Sequence, residues 1–197
     1  MTVQSVLNGL LVLQAAGFKE SGGALTVVVG VVKVIAIVIA GAMMDSLGRR
    51  RMLIIAGLGM AVSCGSLSVC YHSMSVADAA TTDGLGWLAL VSLIGYVVAF
   101  SLGWGPVPML LMSEVLPARA RGTASGVATV VNWGVAFIVT KFFASLQATA
   151  GLDGSFLLFG IICLLAVWFV HHHVPETKGQ SLEDIEQLFR DIPPIHP

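Results

Sequence analysis

Charge is what this chain has least of. Only 11% of its 197 residues are Asp, Glu, Lys or Arg, where soluble domains carry about 25%. Ten basic residues face eleven acidic ones, so no basic face offers itself to nucleic acid. Cysteine is scarce too. Cys64, Cys70 and Cys163 fall within or at the edge of apolar stretches, which suits small packing residues rather than a disulfide framework or a metal cage. No G-x-S-x-G, H-E-x-x-H, C-x-x-C or P-loop pattern occurs, so no enzyme chemistry, metal or cofactor is expected. The run His171, His172, His173 is adjacent in sequence, so its rings fan out around a helix instead of converging; they read as interfacial side chains. The first residues lack a basic n-region and an A-x-A site, and do not read as a secretory signal.

What the chain has is oil. Hydrophobic residues make up 56% of it, and the mean hydropathy is +0.91. A bilayer core needs roughly 20 apolar residues per helix. Such runs occupy about residues 24–44, 52–71, 87–112, 123–146 and 156–170, with a shorter one at 5–18. They are apolar all round and do not alternate as lipid-facing barrel strands would. The expected fold class is therefore all-α, a polytopic membrane bundle of about six transmembrane helices. Residues 1–174 would form the bundle and 175–197 a polar tail.

Loop charge predicts orientation. Arg49, Arg50 and Arg51 follow the second run, and Arg119 and Arg121 follow the fourth. The loop at 72–86 has no Lys or Arg but holds Asp78 and Asp83, and Asp153 sits in a similarly unbasic loop. Positive charge stays inside, so the arginine loops, the C-terminal tail and, with six spans, the N-terminus are expected in the cytoplasm. Lys19 is the one dissenting charge. In the tail, Ser181 can cap a short amphipathic helix with Asp184 in its first turn and Leu182, Ile185, Leu188 and Phe189 on one face.

One stretch breaks the pattern: "GWGPVPMLLMSEVLPARARG", residues 103–122. Pro106 and Pro108 interrupt an apolar run just after Gly103 and Gly105. Proline removes a backbone donor, and in lipid the freed carbonyls are tolerated only against protein or a water-filled cavity. Interrupted helices are where transporters build sites and gates, so a hinge is expected here. Glu114 closes this span, and Arg119 and Arg121 open the next. Asp45, Gly48, Arg49 and Arg50 occupy the same side after the second span. Charges at neighbouring helix ends, partly desolvated and networked, can bias a conformational equilibrium. Arg51 reads as topology signal only.

Two polar residues lie deep in apolar runs. Lys33 is about nine residues from either end of its run, roughly 15 Å in at 1.5 Å per residue. A mid-bilayer lysine costs at least about 2.5–3.5 kcal/mol and marks a functional position by default. Asn132 lies about ten residues into the fifth run. Its amide both donates and accepts, which suits a hydroxyl as well as a neighbouring helix.

Three signatures give these positions a family. "GAMMDSLGRR" resembles the G-x-x-x-D-x-x-G-R-R loop of the major facilitator superfamily, through Gly41, Asp45, Gly48, Arg49 and Arg50. "SEVLPARARG" resembles the E-x-x-x-x-x-x-R signature of sugar porters, through Glu114 and Arg121. "VPETKGQSLEDIE" resembles their P-E-T-K-G signature, Pro175 to Gly179. Together they look most like the C-terminal half, helices seven to twelve, of facilitative hexose transporters, and of their class III branch in particular. The resemblance implies facilitated hexose passage by alternating access in a plasma or intracellular vesicle membrane. Lys33, Gly105, Pro106, Met109, Asn132 and Trp133 would line the sugar cavity. Asp45, Gly48, Arg49, Arg50, Glu114, Arg119, Arg121 and Glu176 would form a cytoplasmic gate. The implied partners are a hexose or similar polyol, the lipid bilayer, and an N-terminal six-helix half or another copy that completes the cavity.

Two departures stand out. Met109 replaces the tryptophan that usually follows P-x-P, and the family's Q-Q-x-S-G run is missing, since Asn8 and Gln14 do not replace it by position. Trp104 suits a cavity wall or a packed core equally. Alternatives to a transporter half are a truncated, non-transporting subunit that binds full-length relatives, or a piece of a proton-coupled sugar symporter.

Overall fold

A computed structural model describes residues 22–76, 82–115, 118–174 and 176, with backbone alone at 22–26, 45, 82–83, 113–115 and 118–121. The short apolar run at 5–18 and the tail helix expected at 181–189 lie outside the described residues. All described regular structure is helical: α1 (Gly22–Leu47), α2 (Arg49–Val76), α3 (Thr82–Leu102), α4 (Val107–Val115) and α5 (Ala118–His173). Four stretches are long and apolar enough to cross a membrane: Val27–Met44, Arg49–Val76, Gly84–Met112 and Gly122–His173.

Two of those stretches are interrupted. The 52 residues of Gly122–His173 greatly exceed one bilayer crossing of about 20 residues. Gly151 divides the helix with φ 72° and ψ 176°, a conformation glycine tolerates because it has no Cβ. Asp153 lies against Gly151 at this corner, and Ser155 Oγ donates to Gly151 O at 2.6 Å. The second interruption separates α3 from α4 at residues 103–106.

The helices are apolar on all sides, so packing rather than amphipathicity decides which faces turn inward. α2 is the central post. Of its membrane window 44% is buried, against 17% for α1 and 17% for α5. It packs against α3 and against the 152–173 arm of α5. Lipid tails are as apolar as leucine, so close van der Waals approach must supply much of the attraction between helices. Small residues allow it. A Cβ on Gly59 would lie 3.1 Å from Ala99 Cβ, and one on Gly95 would lie 3.1 Å from Ser63 Oγ. Toward α5, Gly57 abuts Val167 and Gly160 abuts Cys64.

Two apolar clusters hold the ends of the post. One joins Leu67, Cys70 and Tyr71 of α2 to Ala89 of α3, with Leu152 and Phe156 against it. Tyr71 and Phe156 stack there at 5.7 Å. The other gathers Ala40 and Met44, Met52 and Leu53, Val107, and Val170 from four helices. Outside these clusters α1 and the 118–150 arm present rows of exposed aliphatic and aromatic side chains, including Val34, Val38, Val130 and Phe137.

Candidate functional site

The helix break comes first because the sequence dictates it most directly. Pro106 and Pro108 supply no N–H to the carbonyls four residues back, those of Leu102 and Trp104. The chain compensates locally. Gly105 N–H reaches back five residues to Phe100 O at 2.8 Å, a widened turn, and Val107 N–H then returns to Gly103 O at 3.0 Å. α4 restarts immediately, with Pro108 in its first turn, where a missing donor costs little. Val107 is fully buried under this turn and anchors it to α1, α2 and α5.

Trp104 resolves an ambiguity. Its indole N–H donates to Leu53 O at 3.0 Å, and its ring packs in the cluster around Val107. It belongs to the core and fastens the broken segment to α2. Three residues past the turn, Met109 is 51% exposed, so the side chain that replaces the family's tryptophan points away from that core. Gly105 and Pro106 are half-buried in the break itself.

Lys33 lies half-buried on α1, and Asn132 half-buried on the 118–150 arm, with Trp133 beside it 54% exposed. Among the described residues neither the Lys33 ammonium nor the Asn132 amide has a hydrogen-bond or ion-pair partner. The structure places these side chains on different helices and shows no contact joining them. Asn132 stands apart from nearby hydroxyls that are satisfied on their own helix, Thr129 on Ser125 O and Thr140 on Ala136 O.

The arginine loop between α1 and α2 is reduced to one residue. Gly48 turns the chain at φ 86°. The Glu176 carboxylate lies directly over it: a Cβ on Gly48 would stand 2.7 Å from both carboxylate oxygens. Arg49 N–H donates to Glu176 Oε1 at 2.9 Å. This is the N-terminus of α2, where unsatisfied N–H groups and the helix dipole favour an anion. The complementary contact is at the end of α5, where the Arg50 guanidinium donates to His171 O. A cation on a C-terminal carbonyl is the mirror image of an anion on an N-terminal amide. Residues 121 and 127 positions apart are thus tied across one end of the bundle.

Gly48, Arg49, Arg50 and Glu176, expected together from the sequence, are therefore together. Asp45, Glu114, Arg119 and Arg121 have their backbone at the ends of α1, α4 and α5, while their side chains lie outside the described residues. His171 as acceptor was not foreseen, because a backbone carbonyl leaves no mark in residue type. At the opposite end, Ser68 Oγ donates to Asp153 O at 2.8 Å and His72 Nδ1 lies 3.2 Å from Asp153 Oδ2. That link between α2 and the Gly151 corner was also missed. His172 and His173 each turn a ring nitrogen to a carbonyl of their own helix, Trp168 O and Phe169 O, and no metal-holding group of three occurs among the described residues.

The family model "Sugar (and other) transporter" matches residues 10–189. The chain belongs to this family. It is 42% identical over 176 residues to the facilitated trehalose transporter Tret1 of Anopheles gambiae, covering 89% of this chain and 22% of that protein. Tret1 of Polypedilum vanderplanki is 39% identical over 188 residues, with 93% of this chain and 37% of that protein covered. Among solved structures, the inward-open xylose transporter XylE from E. coli superposes with a TM-score of 0.74 at 30% identity, covering 94% of this chain and 42% of that one. The proton:xylose symporter XylE bound to 6-bromo-6-deoxy-D-glucose gives 0.74 at 30% identity. The chain thus spans well under half the length of these relatives. Family and apolar helices together make it an integral membrane protein of the sugar-porter group. The proteins it matches are transporters, not enzymes.

Proposed function

We propose that this chain acts as the C-terminal six-helix half of a facilitative sugar transporter, most like the class III hexose branch. The observation that carries this reading is the interrupted membrane span at 103–106, tied to α2 through Trp104. In this reading Lys33, Gly105, Pro106, Met109, Asn132 and Trp133 line a cavity closed on its other side by an N-terminal half. The exposed apolar rows on α1 and the 118–150 arm then meet that half or lipid. Asp45, Gly48, Arg49, Arg50, Glu114, Arg119, Arg121 and Glu176 hold the cytoplasmic ends together in the outward-facing state. Breaking their contacts lets the inside open, with the glycine–proline turn as hinge. The substrate is a hexose; trehalose, carried by relatives at about 40% identity, is the competing sugar.

The test is radiolabelled counterflow in liposomes. Purified chain is reconstituted alone, and together with a co-expressed N-terminal six-helix half from a matching relative. Glucose and trehalose exchange is expected only when both halves are present. Asn132→Ala in the reconstituted pair should raise the apparent KM for the transported sugar about tenfold, the loss of about one hydrogen bond's worth of binding. An unchanged KM at equal reconstitution would make Asn132 a helix-packing residue and remove it from the site.

A further inference from the structure

Cys64 and Cys163 are not isolated packing residues. Cys64 sits on α2 and is 2% exposed. Cys163 sits on the 152–173 arm of α5 and is half-buried. Their helices cross at very short range at this level, because a Cβ on Gly160, one turn before Cys163, would lie only 3.5 Å from Cys64 Cβ. Gly57, two turns before Cys64, abuts Val167, one turn after Cys163. The contact seam therefore runs past both cysteines, one turn apart along it. Tyr96 of α3 lies near both. Cys70, six residues beyond Cys64, belongs to another cluster, with Leu67, Tyr71 and Ala89.

We propose that Cys64 and Cys163 form an oxidation site within the membrane, converted to an interhelical disulfide by lipid-phase organic hydroperoxides. The two positions divide the work. Cys163, the more accessible thiol, attacks the peroxide O–O bond and passes its proton to the departing alkoxide. This gives the sulfenic acid Cys163–SOH and releases one alcohol, ROH. Cys64, shielded behind it, then displaces the hydroxyl. An S–S bond forms, one water leaves, and the two thiols have lost two electrons to the peroxide. The product clamps the central post α2 to the last helix, two elements already in close contact at this level.

The experiment treats membranes containing the full chain with cumene hydroperoxide, quenches with acid, denatures, and counts free thiols by maleimide–polyethylene glycol gel shift. Three labels are expected before oxidation and one after. Cys70→Ser should fall from two labels to none. Cys64→Ser should leave two labels minus a dimedone-trappable sulfenic acid at Cys163, with no disulfide within the chain. Peptide mapping of the oxidised wild-type chain, which requires no variant to fold, should recover Cys64 and Cys163 in one cross-linked fragment. Three labels after oxidation, or a cross-link through Cys70, overturns the proposal.

Discussion

Gly103→Ala is expected to destabilise the bundle by about 1–3 kcal/mol, the usual range for overpacking a tight interior. The added Cβ would stand 2.5 Å from Ala56 Cβ and 3.0 Å from Met52 O. Neither neighbour can turn aside, since one is a methyl with no rotamer and the other is backbone. The break would have to lift from α2, and lifting would stretch the Trp104 to Leu53 O hydrogen bond beside it. The readout is the temperature at which half the detergent-solubilised protein leaves the monodisperse peak. Gly65→Ala is the control. Gly65 is also helical, with nothing within 4 Å of an added Cβ, and alanine is the better helix former by about 1 kcal/mol. The two substitutions should move the midpoint in opposite directions. A Gly103→Ala midpoint at or above that of the wild type would mean that α2 and the break are not in the close contact described.

This contrast also shows what was readable in advance. Apolar runs at 24–44 and 52–71 lie inside α1 and α2, which extend two to five residues further at each end. Hydropathy measures the bilayer's thickness, whereas a helix continues into the interface until something stops it. At 103–106 the stop was readable, because glycine and proline act locally. At 151 it was readable only as a loop. The helix is interrupted at one residue, since a single glycine in an extended, positive-φ conformation redirects the chain without a longer connection.

Facing was not readable. A helix apolar on every side carries no moment to show which stripe is core, so Trp104 could not be assigned until Leu53 O was seen to accept its proton. Deep polar residues were readable for the opposite reason: lysine or asparagine within an apolar run is costly wherever it points, so Lys33 and Asn132 drew notice on sequence alone. The arginine end was half readable. The motif resemblance grouped Gly48, Arg49, Arg50 and Glu176, but it said nothing of how they meet. The answer is mostly backbone: one amide for the carboxylate, one carbonyl for the guanidinium.

That geometry makes Gly48→Ala the second large effect. Alanine at φ 86° bears a left-handed backbone penalty of about 1–2 kcal/mol. Its Cβ also takes the place where the Glu176 carboxylate rests, 2.7 Å away. Displacing the carboxylate removes the hydrogen bond that Arg49 N–H donates to a charged acceptor, a class of contact worth about 1.5–3 kcal/mol. A double-mutant cycle separates the two contributions. In wild-type background Gly48→Ala should lower the thermal midpoint by both. In a Glu176→Ala background only the backbone penalty is left, so the same substitution should lower it less. The difference measures how firmly the segment after α5 is held onto the start of α2. Equal shifts in the two backgrounds would mean that Glu176 does not rest on Gly48, and that the tie between residues 49 and 176 contributes nothing to closing this end of the bundle.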